Sequence, residues 1–250
     1  TANFTVSVTP KPLSLAVTVD PSSRQYNTSR TVVLAATSAA NLPGIINSDV
    51  VTTDDTKLSA LVSTADVATN KVVTVTVASG FLTGANAANY LLPTVSGTPV
   101  MSITRTAQSA ITVTSALNTV FGQNISLSAT GGSGTGALTF ATTSGPCNVA
   151  ASIMTPTSAG SCVVVATRAG DTNYFAQTQS ATVDIAAATQ APVTMTSATT
   201  VVYGNTLILT ASGGTGTGVF EFATVSGGAC AISNGDELTP LSAGECVIHA

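Results

Sequence analysis

The chain has 250 residues, a net charge of −4, 7% charged residues and 4% aromatic residues. It therefore offers neither the clustered cations nor the aromatic side chains that nucleic acid binding needs, and no apolar run approaches the ~20 residues that span a bilayer. Threonine (44 residues) and valine (29 residues) are abundant, and 44% of the residues are hydrophobic, which is enough to bury a core. The composition predicts an all-β fold, because β-branched side chains fit a pleated sheet.

The first residues resemble the end of a module rather than its beginning. Thr1–Phe4 matches Ala87–Tyr90 at an offset of 86. Residues 1–10 are therefore predicted to be the closing strand of a preceding module, or a donor strand that completes the sheet of another chain. The chain also stops four residues after Cys246, so we expect it to be a window of a longer tandem array.

Alternating apolar and hydroxyl side chains predict strands throughout module 1, residues 11–105. In the segment Val72–Ala78 the odd-numbered valines are expected to face the core and the even-numbered residues the other side. The predicted strands are Leu13–Val19, Thr31–Thr37, Val72–Ala78 and Tyr90–Val95.

A sequence repeat defines the rest of the chain. Ser109–Gly145 returns as Ala191–Gly227 at an offset of 82, with 18 of 37 positions identical. The repeat predicts module 2 over residues 106–188 and an incomplete module 3 over residues 189–250, with short linkers near Arg105–Gln108 and Ala187–Ala191. Tandem modules of this size are typical of a rod-like array with a mechanical or adhesive role.

Each repeat contains a glycine-rich frame, Gly131–Gly136 and Gly213–Gly218. A phosphate-binding loop would need a helix after the glycines, but the next residues alternate as a strand. We interpret both frames as hairpin turns in which glycine supplies positive φ angles. The predicted strands of module 2 are Ile111–Ser115, Ile125–Thr130, Ala137–Thr142, Ser161–Arg168 and Ser180–Ala186.

Four cysteines occupy equivalent places in the two repeats. Three pairings are open to four cysteines, and the period favours Cys147–Cys162 and Cys230–Cys246, each within its own repeat. Zinc is the alternative, but structural zinc sites combine closely spaced cysteines with histidines, and the only histidine is His249. Disulfides of this kind indicate an oxidising, extracellular compartment.

Several motifs resemble known bacterial repeats. Modules 2 and 3 resemble disulfide-containing immunoglobulin-like repeats of large secreted surface proteins, through Phe121-Gly122, Tyr203-Gly204, the glycine frames, the residues around the cysteines and Asp171–Tyr174. Module 1 resembles the related repeats with a Tyr-Asp-Gly signature, through Lys11–Leu13, Tyr26–Thr28 and Ala87–Tyr90, although Asn-Thr replaces Asp-Gly after Tyr26. The resemblance implies tandem immunoglobulin-like β-sandwiches in the stalk of an adhesin-like protein.

Two oxygen-rich segments are candidate calcium sites: Asp49, Asp54 and Asp55 in module 1, and Asp171 in module 2. Calcium takes six to eight oxygen ligands, and these segments supply fewer, so aspartates bonded to their own backbone are the alternative. We expect no cofactor other than this candidate calcium. We also expect no enzymatic activity, because a single histidine leaves no set of nucleophile and base.

The sequence therefore predicts a stalk or spacer of a bacterial extracellular surface protein, whose partners are neighbouring modules and host or surface glycans or proteins. Three alternatives remain. The chain could be a filament subunit joined by strand addition, a glycan-binding module of a secreted protein, or an accessory segment of a secreted hydrolase whose catalytic domain lies outside these residues.

Overall fold

The computed structural model describes residues 2–226 and 228–250. It confirms the all-β prediction: the described residues form 24 strands and three short 3₁₀ helices, with no α-helix. None of the described helices is both long and apolar enough to cross a membrane. The chain divides into two compact units, one that ends at Ile185 and one that comprises Ala186–Ala250.

Module 1 contains the first eight strands. A four-stranded sheet has the order β2-β8-β5-β4, and two small sheets pair β1 with β7 and β3 with β6. Three 3₁₀ helices occur in this module, at Ala39–Asn41, Asp55–Lys57 and Ala87–Asn89. The strands are β1 (Ser14–Ala16), β2 (Ser23–Gln25), β3 (Thr52–Thr53), β4 (Leu58–Val62), β5 (Ala68–Val77), β6 (Leu82–Thr83), β7 (Thr94–Ser96) and β8 (Val100–Thr104).

Strand β5 shows the predicted alternation. Val73 is buried, Val75 and Val77 are half-buried, and the even-numbered residues between them are exposed. Val73 joins a core cluster that also holds Val62 of β4 and Ile103 of β8. The alternation arises because successive side chains of a strand point to opposite faces.

The predicted strand Thr31–Thr37 is wrong. Only two isolated bridges occur in it, from Thr31 to Leu61 and from Leu34 to Val19. The segment changes partner between these residues, so no ladder becomes long enough to form a strand. The predicted strand Tyr90–Val95 is likewise reduced to a bridge at Tyr90 and the short strand β7.

Module 2 is a β-sandwich. One sheet has the order β10-β17-β16-β13 and the other β11-β15-β14, while β9 pairs with β12. Apolar residues from both sheets form its core, including Met154, Val164 and Val183, which are fully buried. The strands are β9 (Ile111–Val113), β10 (Asn118–Val120), β11 (Ile125–Ser126), β12 (Ala129–Gly131), β13 (Leu138–Ser144), β14 (Cys147–Ala150), β15 (Ile153–Pro156), β16 (Gly160–Arg168) and β17 (Gln177–Ala186).

The glycine frame of module 2 is not a hairpin turn. It follows β12, which pairs with β9, and leads to β13, which pairs with β16, so it crosses from one sheet to another. Gly131 and Gly132 have the predicted positive φ angles, 94° and 74°. Gly136 is required for a different reason: a Cβ atom there would lie 2.1 Å from the carbonyl oxygen of Ala169.

The second compact unit contains module 3. Its sheets have the order β19-β23-β22, β18-β20 and β21-β24. The buried core is small and consists of Leu209, Cys230 and Leu238. The strands are β18 (Val193–Met195), β19 (Leu207–Ile208), β20 (Ala211–Gly213), β21 (Ala223–Ser226), β22 (Cys230–Ser233), β23 (Glu237–Pro240) and β24 (Val247–His249).

Candidate functional site: the junction of modules 1 and 2

Within the first compact unit, the loop before β17 contacts module 1 through Asn173. The side-chain oxygen of Asn173 accepts a hydrogen bond from the backbone N–H of Val67 at 2.9 Å, and its amide nitrogen donates to Asp66 Oδ1 at 3.0 Å. Its carbonyl oxygen accepts from the N–H of Thr106 at 3.1 Å. One residue of module 2 therefore bonds both the β4–β5 connection of module 1 and the chain segment between the modules.

Aromatic packing reinforces these hydrogen bonds. The rings of Tyr26 in module 1 and Tyr174 in module 2 lie 5.3 Å apart with an interplanar angle of 79°, an edge-to-face arrangement that aromatic pairs favour. In addition, Arg105 Nε donates to the carbonyl oxygen of Thr172 at 3.3 Å. The junction thus combines an apolar contact with directional hydrogen bonds, and the hydrogen bonds fix the orientation of the loop.

Asp171 gives this loop its shape. Its Oδ1 accepts from the backbone N–H groups of Asn173 and Tyr174 at 2.8 and 2.9 Å, and its Oδ2 accepts from the N–H of Thr135 at 2.7 Å and from the Thr135 hydroxyl at 3.2 Å. These bonds favour the charged carboxylate, so they lower the pKa of Asp171, with the Thr135 N–H as the largest cause. The carboxylate therefore fastens the junction loop to the glycine frame.

The segment between the modules is also fastened, through Gln108. Its side chain is buried, with 6% exposure. Its amide nitrogen donates to the carbonyl oxygens of Ala169 and Phe175 at 3.0 and 2.8 Å, and its oxygen accepts from the N–H of Gly134 at 3.0 Å. A buried amide that is satisfied in this way resists rearrangement, because displacing it would leave polar groups unpaired.

The sequence analysis did not identify Gln108 as a structural residue, although the repeat contains a second glutamine that points to it. Gln190 occupies the equivalent position at the same offset of 82, one residue before the repeated block. In module 3 the side chain of Gln190 lies beside Gly214 and Gly216, where added Cβ atoms would meet it at 3.2 and 3.0 Å. The glutamine and the glycine frame therefore form one structural element in both repeats.

Both predicted disulfides form. Cys147 pairs with Cys162, and Cys230 with Cys246, at Cα–Cα distances of 5.9 and 6.0 Å. In module 2 the bond links β14 in one sheet to β16 in the other, and both cysteines belong to the buried core. The cross-link therefore holds the two faces of the sandwich together.

The calcium candidates of module 1 serve local structure. Asp54 accepts hydrogen bonds from the N–H and hydroxyl of Thr56 at 3.0 and 2.7 Å and caps a 3₁₀ helix, and the Thr56 hydroxyl is the main cause of its lowered pKa. Asp55 accepts from the N–H of Thr37 at 2.9 Å and from the Thr37 hydroxyl.

Asp49 has a different partner, the hydroxyl of Tyr90, which donates to its carboxylate at 2.6 Å. Burial and this bond raise the pKa of Tyr90. The four candidate aspartates accept hydrogen bonds from different partners. Across residues 2–226 and 228–250, no three acidic, histidine or cysteine side chains form a cluster that could hold a metal ion.

Comparisons with known proteins give one family match. The model of the YDG domain matches residues 9–97, which supports the Tyr-Asp-Gly part of the resemblance predicted for module 1. No curated protein matches the chain. Among solved structures, Drosophila N-cadherin EC1-4 matches with 9% identity and a TM-score of 0.27, over 92% of this chain and 64% of that one; a similarity at this level supports no inference about function. Residues 9–97 of the chain are thus similar to the YDG domain.

Proposed function

We propose that this chain is a structural repeat region, a stalk or spacer, of a bacterial extracellular adhesin-like surface protein. The observation that carries the proposal is the junction of modules 1 and 2. A spacer must hold its modules in a fixed direction and transmit force between them, and a linker fastened at Arg105, Thr106 and Gln108 suits that task better than a free one.

The disulfides support the same proposal. Each locks a stretch of module 2 or module 3 against extension, since residues between bonded cysteines cannot be pulled out while the bond is intact. Disulfides also occur mainly in oxidising environments outside the cytosol. The match of residues 9–97 to the YDG domain is compatible with such an array.

Force spectroscopy of the chain tests the mechanical part. The two disulfides enclose sequence separations of 15 and 16 residues, so reduction should add about 100 Å to the fully extended length at ~3.3–3.6 Å per residue. A variant with all four cysteines replaced by alanine should show that longer extension with or without reductant. Extension without force peaks in the oxidised protein would contradict a load-bearing role.

A second experiment tests the location. Antibodies raised against residues 11–188 should label intact cells of the source bacterium or its culture medium. Labelling that requires permeabilised cells would contradict an extracellular spacer.

A further inference from the structure

The hairpin that joins β22 to β23 contains an asparagine followed by a glycine. The two strands pair as far as Ser233 and Glu237, and the three residues between them, Asn234, Gly235 and Asp236, belong to no strand. Asn234 and Gly235 have left-handed φ angles of 55° and 89°. Glycine adopts such angles readily, and asparagine does so more readily than most other residues. The shape of the turn therefore explains why these two residues follow each other.

This dipeptide can undergo a reaction of its own. The backbone nitrogen of Gly235 attacks Cγ of Asn234, the bond from Cγ to Nδ2 breaks, and the amide nitrogen leaves as ammonia with the proton of the Gly235 N–H. Water then opens the five-membered succinimide ring at either carbonyl and leaves aspartate or isoaspartate at position 234. Asparagine is a thermolabile residue, and a following glycine favours this reaction because no side chain shields its nitrogen.

The structure leaves the attacking nitrogen accessible. Asn234 and Gly235 are both exposed, and a Cβ atom placed on Gly235 would meet no atom within 4 Å. The Gly235 N–H donates to no acceptor in residues 2–226 and 228–250. The turn can therefore change its shape for the attack without breaking a hydrogen bond of the β22–β23 ladder.

Module 2 shows that the exposure belongs to the hairpin itself. Ala151, in the turn between β14 and β15, lies four residues after Cys147, as Asn234 lies four residues after Cys230. Its φ angle of 53° matches that of Asn234. Ala151 is exposed although the two sheets of module 2 form a sandwich around a buried core. The same turn therefore lies on the surface in both repeats, but only in module 3 does it carry a side-chain amide.

We propose that Asn234 is a site of spontaneous deamidation in the folded protein, with Gly235 as the nucleophile and water as the only co-reactant. Asn234 Nδ2 donates a hydrogen bond to Glu237 Oε2 at 3.0 Å. The reaction removes this bond and places a new carboxylate beside that of Glu237, and like charges repel. Deamidation thus loosens the hairpin of module 3 with age. It is separate from the spacer role, which depends on the junction of modules 1 and 2.

Peptide mapping of the aged protein tests the proposal. The folded, oxidised chain is incubated at mildly alkaline pH in water enriched in heavy oxygen, then reduced and cleaved after glutamate. The peptide of residues 222–237 contains Asn234 as its only asparagine and has no glutamine, so loss of ammonia from it reports on this residue alone. We expect two products of equal mass, the aspartate and isoaspartate forms, which separate by chromatography and each contain one heavy oxygen.

The chain supplies an internal control. Asn70 is exposed and has a φ angle of 51°, but Lys71 follows it, so it should keep its amide during the same incubation. G235A places a methyl group beside the attacking nitrogen and should slow the loss of ammonia severalfold. N234A should show no mass change in this peptide, and alanine is compatible with the turn because Ala151 has the same conformation in module 2.

The effect on stability is measured separately. Denaturant unfolding should show that N234D and the aged parent protein are less stable than the fresh parent, whereas N234A should not change with age. Equal stability of N234D and the fresh parent would overturn the predicted loosening. An amide that survives in the folded chain but is lost in denaturant would overturn the proposal, as would equal rates at Asn234 and Asn70 or in the parent and G235A.

Discussion

At the scale of single residues, the carboxylate of Asp171 is the clearest example of local chemistry with a wider effect. Its two oxygens bond the junction loop on one side and the glycine frame on the other. The other aspartates that resembled calcium ligands also accept hydrogen bonds from backbone or hydroxyl groups. Asp54 bonds its own turn, as short polar side chains often do in loops, whereas Asp49 and Asp55 bond Tyr90 and Thr37, which are distant in sequence.

The charge of Asp66 should make the junction sensitive to acid. Its hydrogen bond from Asn173 is the largest cause that lowers its pKa below the ordinary value of 3.8. A lowered pKa contributes stability above the unfolded value, and that contribution is lost as the pH falls through the folded value. We expect the thermal unfolding temperature of the first unit to decrease as the pH is lowered below about 4. In D66N this decrease should be smaller.

The matched change D236N, at an exposed aspartate of the other unit, should leave this pH profile of the first unit unchanged. An equal effect of both substitutions would show that the acid sensitivity does not depend on the junction.

Two glycines of module 2 allow the cost of a strained backbone angle to be distinguished from the cost of a steric clash. Gly131 and Gly122 have similar positive φ angles, 94° and 91°, but only at Gly131 would a Cβ atom meet the backbone, 2.2 Å from the carbonyl oxygen of Ala110. We expect G122A to cost about 1 kcal/mol of unfolding free energy and G131A about 2–4 kcal/mol, because strain and overpacking add. Denaturant unfolding measures both, and equal losses would contradict the steric explanation.

At the scale of elements, a disulfide supports a sandwich whose strands are short. Removing the Cys147–Cys162 bond in the double variant C147A/C162A should cost about 3 kcal/mol, the value for closing a loop of this length. Denaturant unfolding under oxidising conditions measures the loss. Under reducing conditions the difference between this variant and the parent protein should largely disappear, and a difference that persists would point to lost core packing instead.

At the scale of the molecule, the two hydrogen bonds of the Asn173 side chain should couple the stabilities of modules 1 and 2. The bond from the Val67 N–H is partly buried and contributes about 0.5–1.5 kcal/mol. The bond to Asp66 is exposed, so a double-mutant cycle with N173A and D66A should give a small, favourable coupling free energy for it. The control pair N148A and D66A, with an exposed asparagine of β14, should be additive.

N173A should also change how the first unit unfolds. With Asn173 present, we expect modules 1 and 2 to melt in one calorimetric transition, because each stabilises the other. In N173A the transition should broaden or split. A single sharp transition in the variant would mean that the remaining contacts, such as that between Tyr26 and Tyr174, suffice for coupling.

Much of this protein follows from the sequence by itself. Composition predicts the all-β class, and alternation between neighbouring residues predicts the inward-facing valines of β5. The repeat places each cysteine pair within one module, where the partners are only 15 and 16 residues apart. The sequence identifies the calcium candidates but not their hydrogen-bond partners, because the partners of Asp49 and Asp55 are 41 and 18 residues away.

Only the tertiary structure decided how distant segments meet. Alternation cannot reveal that Thr31–Thr37 changes partner, nor that a glycine frame crosses between sheets, because both depend on which strands become neighbours. The contact of Asn173 with Asp66 spans 107 residues. Periodicity specifies which face of a strand is apolar, whereas the packing of the folded chain determines what covers that face.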